Sequence, residues 1–411
     1  MTLIELFDPC QLENAAGVML LRPERVVYIG YADEMTESRR SALTRFLKRN
    51  AGTHSVEFVN VPHGDFTEIE RDVAYIANKY AAGDCTDGCV FDLSGGDELI
   101  AAAFGAVAQV MKLCMVKTDV ESMTVLPLKN ADGFAEERIH RVKLSVEESV
   151  ALYGGAVISE RDSDCRRVLS ENDRRDINAL WDICRRNTRL WNKQISVLSS
   201  LEQYGRSGNR INIYLKSERF KNIELPSPNF MSDLMLSGLV SGYRVFDGRI
   251  SYRYKNEWVR ACMSKAGNIL ENYVYMCAVM LSERESGFFG DIAVSVSADW
   301  DGAPQSGTKN EIDVVAMHGL VPVFISCKNG GAKKEALYEL DTVAHHYGGE
   351  HAVKILVTTS DRANESARRS LIERAENMGI AVIGDSDVIS AEKFIARLRA
   401  ICVRDERKDL R

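Results

Sequence analysis

The sequence predicts an α/β protein with an N-terminal doubly wound parallel sheet, a helical and β-hairpin connector, and a second α/β domain. Three observations carry this expectation. Short β-branched runs alternate with amphipathic helices to about residue 130, a helical stretch and a hairpin signal follow, and strand–helix alternation then returns. A chain of 411 residues has room for two or three domains, and 45% apolar with 27% charged residues is the make-up of a folded globular protein.

Taken in order, RVVYIG (Arg25–Gly30) is a short apolar run closing on glycine, as expected of a buried parallel strand. TESRRSALTRFLKRN follows as a helix with Thr36 or Ser38 as its N-cap. SVEFVNVP, CVFDL and KLCMVK are the next strands, separated by the helices FTEIERDVAYIANKY and DELIAAAFGAVAQVM. Residues 145–205 carry apolar positions at helical spacing, and Asp247-Gly248 between alternating runs marks a hairpin. Downstream come a helix (Ala266–Leu281), strands (Ile292–Ala298, Glu311–Ala316, Val321–Cys327) and a helix (Ala332–Tyr347). A strand (Val353–Thr358), a helix (Asn364–Met378), a strand (Ala381–Ile383) and a final helix complete the chain. The expected domains are 1–145, 146–260 and 261–411.

Charge is unevenly spread. The chain has 52 Lys+Arg and 59 Asp+Glu, a net of −7, but residues 1–150 hold 15 and 24, a net of −9. Residues 161–220 hold 13 basic and 8 acidic side chains. An acidic first third excludes a globally basic nucleic-acid binder while leaving room for a local basic channel. No apolar run is long enough to span a membrane, and MTLIELFDPC lacks the basic start of a signal peptide. Ten scattered cysteines without a framework point to a reducing cytoplasm.

Two loops of the first domain sit where a doubly wound sheet binds ligands, beyond the carboxyl ends of its strands. One follows RVVYIG and contains Tyr31 and Asp33. The other, Ser94-Gly95-Gly96-Asp97, leads straight into a helix, whose free N–H groups would favour an anion. The segment DLSGGDELIAAAFGAVA resembles the strand–[ST]GG–helix hallmark of CARF domains, the cyclic-oligoadenylate sensors of type III CRISPR immunity. ENAAGVMLLRPERVVYIG is similar to the start of CARF-linked CRISPR ancillary nucleases. The resemblance implies a Rossmann-like sensor in a homodimer that shares one cyclic oligoadenylate, cyclic tetra-adenylate, as activator. It also implies ligand contacts from Gly30, Tyr31, Asp33, Ser94, Gly95, Gly96 and Asp97.

The most informative stretch is KNEIDVVAMHGLVPVFISCKNG. Glu311 and Asp313 are two apart and share one strand face, as do Ser326 and Lys328 on the next strand. A turn at Met317–Leu320 would bring Asp313 to Lys328, pairing a metal-holding carboxylate with a lysine able to orient water and stabilise phosphate charge. Glu271, on the preceding amphipathic helix, could add a second carboxylate. The order helix Glu, strand Asp, strand Lys resembles the PD-(D/E)xK restriction-endonuclease core. That resemblance implies a nuclease acting on DNA and/or RNA, with Mn2+ or Mg2+ on Asp313 and Glu271 and water positioned by Lys328. Where the pattern has an acid two residues before the lysine, this chain has Ser326, so a catalytically weak sensor that only grips nucleic acid is the alternative.

Other features carry less. Cys85 and Cys89 have no second Cys/His pair at zinc spacing. Cys327 is expected to be a core thiol, and His345, His346 and His351 to be solvent or capping residues. The Arg-rich 161–220 segment reads first as a solvated helix face and second as a track for a nucleic-acid backbone.

Overall fold

The computed structural model describes residues 1–80, 88–131, 139–158, 166–215, 223–300, 309–359 and 365–403. Its first sheet contains β1 (Thr2–Leu6), β2 (Arg25–Gly30), β3 (Ser55–Asn60), β4 (Cys89–Asp92), β5 (Cys114–Asp119) and β6 (Thr124–Lys129). They lie in the order β3-β2-β1-β4-β5-β6, parallel except for the final antiparallel strand. The centre of this sheet is β1, which the sequence reading passes over in favour of RVVYIG. TLIEL hides because Glu5 interrupts its apolar run, yet Glu5 is buried and its carboxyl is raised well above its ordinary range by burial and by Asp92.

Each face of the sheet has its own core. Leu12, Ala15, Leu43 and Leu47, from the helices Gln11–Leu21 and Glu37–Asn50, pack with Val26 and Tyr28. Ile69, Val73, Ile100 and Phe104, from Phe66–Tyr80 and Glu98–Met111, pack with Ile4, Val27 and Phe91. The first of these cores continues without a break into the C-terminal half, where it includes Val323, Phe324 and Leu337.

The connector adds β7 (Ala156–Val157), β8 (Arg206–Ser207), β9 (Arg210–Tyr214), β10 (Val240–Phe246) and β11 (Arg249–Tyr254). Strands β8–β11 form a small antiparallel sheet in the order β10-β11-β9-β8. The Asp247-Gly248 turn is present, with both residues at positive φ (44° and 68°), the twist a two-residue hairpin needs. Residues 145–205 contain the expected helices, at Val146–Leu152, Glu171–Arg186 and Thr188–Gly205.

The third sheet has β12 (Asp291–Asp299), β13 (Lys309–His318), β14 (Val321–Lys328), β15 (Val353–Thr358) and β16 (Ile380–Ile383), in the order β16-β15-β14-β13-β12-β7. The edge strand β7 pairs with β12, so the connector supplies one margin of this sheet. The buried helix Asn268–Arg284 lies against β12–β14, and Lys334–Gly348 makes the crossover from β14 to the parallel β15. Among the described residues no helix is long and apolar enough to cross a membrane.

Candidate active site and ligand crevice

The β13–β14 hairpin turns at Gly319 and pairs Val314 with Ile325 as its last regular rung. Beyond that rung the Asp313 side chain takes over the bonding. Its Oδ2 accepts from the Cys327 backbone N–H at 2.6 Å and from Ser326 Oγ at 3.3 Å. Ser326 and Lys328 are part-exposed while Cys327 is buried between them, the alternation a strand requires. The Cys327 thiol is pushed well up by burial, as expected of a core thiol.

On the neighbouring strand, the β12–β13 ladder keeps its register across a gap at Ser295, opposite Asp313. Ser295 has φ 53°, the left-handed region, and its Oγ donates to Glu271 Oε2 at 3.1 Å. Burial and the Asp313 charge lift Glu271 to about 7, against the Ser295 hydrogen bond and the charges of Lys265 and Lys328. Burial likewise raises Asp313, opposed by the Cys327 N–H, Lys328 and Ser326. Glu271, Asp313, Ser326 and Lys328 therefore meet in one half-buried site. Glu311 stands exposed at its rim, felt by Asp313 only as a further negative charge. Ser295 was not legible in the sequence, because nothing there marks a non-glycine at positive φ.

The loop after Lys328 is tied down. Asn329 Nδ2 donates to Asn192 Oδ1 and to the Ala266 carbonyl, both at 3.0 Å, and Asn192 Nδ2 donates to the Asn329 carbonyl at 2.9 Å. The Gly330 N–H donates to Thr359 Oγ1 at 2.8 Å. A cleft of about 810 Å³ opens beside Gly330 and Gly331 and is walled by Arg185, Arg186 and Arg189. Part of the Arg-rich connector thus reaches the nuclease-like sheet, although Arg185 and Arg186 also pair with Asp182 and Asp233.

The crevice of the first sheet differs from the expectation. Its strand order reverses between β1 and β4, so the segment after β1 is part of the switch point. Gly95 and Gly96 sit at φ 61° and 75°, and a Cβ on them would strike Asp8 and Leu6 respectively. Three of the N–H groups expected to await an anion are already used. Gly96 N–H donates to Asp8 Oδ2 at 2.7 Å, and Asp97 Oδ1 caps Leu99 and Ile100 at 2.9 and 3.2 Å. Ser94 is buried, and its hydroxyl donates to Asp92 and to the Thr118 carbonyl. Tyr31 donates to Asp97 at 3.1 Å and stacks on His63, 3.9 Å between centroids, while His63 bonds the exposed Asp33 at 3.1 Å. Gly30 is buried, where a Cβ would press on Phe7.

Two histidines expected to be solvent or capping residues have definite partners. His346 stacks on Trp300 at 3.6 Å and bonds its carbonyl at 3.0 Å. His351 joins Glu13 (2.6 Å) and Glu121 (3.4 Å) of the first domain, a contact between segments more than 200 residues apart. Cys85 lies outside the described residues, and Cys89 is buried in β4.

Residues 259–401 match the family described as Card1-like, endonuclease domain. The C-terminal domain is thus similar to the Card1-like endonuclease domains over these residues. Over the whole chain, the structure is similar to protein VC1899 from Vibrio cholerae, with TM-score 0.69, 17% identity and 98% of each chain covered. It is also similar to Can2 from Sulfobacillus thermosulfidooxidans in complex with cyclic tetra-adenylate, with TM-score 0.67, 15% identity and 97% of each chain covered. A comparison with curated protein sequences returns no match. A parallel-sheet domain joined to a Card1-like endonuclease domain is the architecture expected of the CARF-linked CRISPR ancillary nucleases, and the chain has it.

Proposed function

We propose that the chain is a metal-dependent endonuclease of type III CRISPR defence, switched on by cyclic tetra-adenylate. In this reading residues 1–145 form the sensor, 146–260 the connector and 261–411 the nuclease domain, and the working unit is a homodimer sharing one ligand. The observation that carries it is the convergence of Glu271, Asp313 and Lys328 within a Card1-like endonuclease domain. The ligand assignment is supported by the likeness to the Can2 fold and by the SGG loop at the switch point.

The residues fit a hard divalent ion. Each carboxylate is held through one oxygen only, Oδ2 of Asp313 and Oε2 of Glu271, leaving the other without a hydrogen bond from a described residue. Burial raises both, the Asp313 charge adds to the rise at Glu271 and the Glu311 charge to that at Asp313, and a cation beside them would relieve that cost. Among the described residues no third acid, His or Cys completes the set, so Asp313 and Glu271 would hold the ion with oxygen ligands from outside the protein, as Mg2+ tolerates. The ion supplies Lewis-acid stabilisation of phosphate charge. Lys328 adds a fixed positive charge and orients the attacking water, while Ser326 and the Cys327 N–H hold Asp313 in place.

The test incubates the protein with Mn2+, with and without cyclic tetra-adenylate, on circular single-stranded DNA, supercoiled plasmid and RNA. Cleavage that needs both additions is expected. Asp313→Asn and Lys328→Ala should each reduce it at least about a hundredfold, with ligand binding unchanged by calorimetry. Cleavage of none of these substrates by the liganded protein would favour the sensor that only grips nucleic acid, the reading Ser326 supports.

A further inference from the structure

The small sheet β10-β11-β9-β8 has one buried and one open face. Ile211, Ile250 and Tyr252 point into the core and are almost fully enclosed. Directly opposed residues of an antiparallel pair share a face, so the register fixes the other set. Phe246 opposes Arg249, which opposes Tyr214; Arg244 and then Arg253 follow along the sheet, and Arg253 opposes Arg210. The remaining outward positions on β9–β11 are serine and asparagine, apart from the residues displaced at the bulge in β10. In a chain of net charge −7, this face carries, among the described residues, four arginines, two aromatics and no carboxylate.

Two features of the face are unfavourable for the isolated protein. Arg253 directly opposite Arg210 is a like-charge cross-strand pair, which destabilises a sheet. Phe246 is 81% exposed and Tyr214 51% exposed, with the Arg249 guanidinium 5.6 Å from the Tyr214 ring centre. A partner with closely spaced negative charges would relieve the first, and flat apolar rings the second. A single strand of nucleic acid offers both at once, phosphates for guanidinium groups and unpaired bases for aromatic stacking. A duplex keeps its bases stacked away from such rings.

We propose that this open sheet face is an exosite for single-stranded nucleic acid, binding phosphates through Arg210, Arg244 and Arg253 and stacking a base on Phe246. The inference rests on the substrate class proposed above. The helix Thr188–Gly205 runs from the Arg-walled cleft to β8, 18 residues or about 27 Å. The face is therefore separate from the reacting phosphate and acts on affinity, not on bond cleavage.

The experiment measures fluorescence anisotropy of labelled oligo(dT) and oligo(U) with the full chain in EDTA, across a salt series. Arg210→Gln/Arg244→Gln/Arg253→Gln should weaken binding at least about tenfold and reduce the log–log salt slope by about two, given about 0.7 per phosphate contact. Phe246→Ala should weaken binding severalfold with the slope unchanged. Arg45→Gln/Lys48→Gln/Arg49→Gln, on the exposed side of the helix Glu37–Asn50, is the charge-matched control and should bind as wild type. Wild-type affinity in the first triple variant, or an equal loss in the control, overturns the exosite. If the wild type cleaves nucleic acid and the face variant cleaves and binds identically, only the exosite falls. If the wild type cleaves nothing yet binding follows the expected pattern, the nuclease reading falls and the exosite stands.

Discussion

Replacing His351 by glutamine tests the contact between the two halves of the chain. The imidazole lies between Glu13 and Glu121 and is 21% exposed. Burial pulls its pKa down, but the hydrogen bonds to Glu121 and Glu13 and the Glu13 charge outweigh that and lift it from 6.5 to about 10. Taken entirely as pairing energy the rise corresponds to about 5 kcal/mol. One close contact of 2.6 Å and one stretched contact of 3.4 Å support about 2–3 kcal/mol. The sign follows from a pKa raised by folding. The stabilisation is complete below about pH 6.5 and disappears as pH climbs through about 10. Urea unfolding of wild type and His351→Gln, repeated from pH 6 to pH 10, should show the difference between them shrinking toward zero. A difference that does not change with pH, or a His351 resonance titrating near 6.5, would refute the argument.

Three further outcomes are expected. Ser326→Asp places a carboxylate beside Asp313 and, on the proposed metal site, should tighten Mn2+ binding at least about tenfold by calorimetry, because it adds an oxygen ligand; unchanged affinity would mean that Ser326 does not face the ion. Gly96→Ala forces a Cβ onto Leu6 at φ 75°, so it should cost about 2–5 kcal/mol of stability in the first domain and lower ligand affinity, read by thermal unfolding and calorimetry. Asn192→Ala removes the amide that grips Asn329 next to Lys328, so kcat should fall about tenfold while KM stays put; a change in KM alone would assign Asn192 to substrate binding.

The strands that could be read from the sequence are those whose apolar runs are unbroken, such as RVVYIG and VPVFISCK, and whose turns carry a glycine, such as Asp247-Gly248 and Gly319. What escaped reading is polar residues inside the fold. Glu5 disguised β1, and with β1 the Asp8 carboxylate that fills the N–H group of Gly96. The candidate site was visible as far as spacing governs it, in Asp313, Ser326 and Lys328. It was invisible where tertiary contacts decide, as in the Ser295 bond to Glu271 and the amide lock on Asn329. Pairing of His351 with Glu13 and Glu121 depends on segments distant in sequence, which no local pattern encodes.

The left-handed backbone of Ser295 has a consequence for evolving this protein in the laboratory. A non-glycine residue at φ 53° carries strain of about 1–2 kcal/mol, and glycine would remove most of it. Selection for heat resistance alone should therefore recover Ser295→Gly as a gain. The same change deletes the hydroxyl that fixes Glu271, so such a campaign would harden the scaffold while loosening its carboxylate pair.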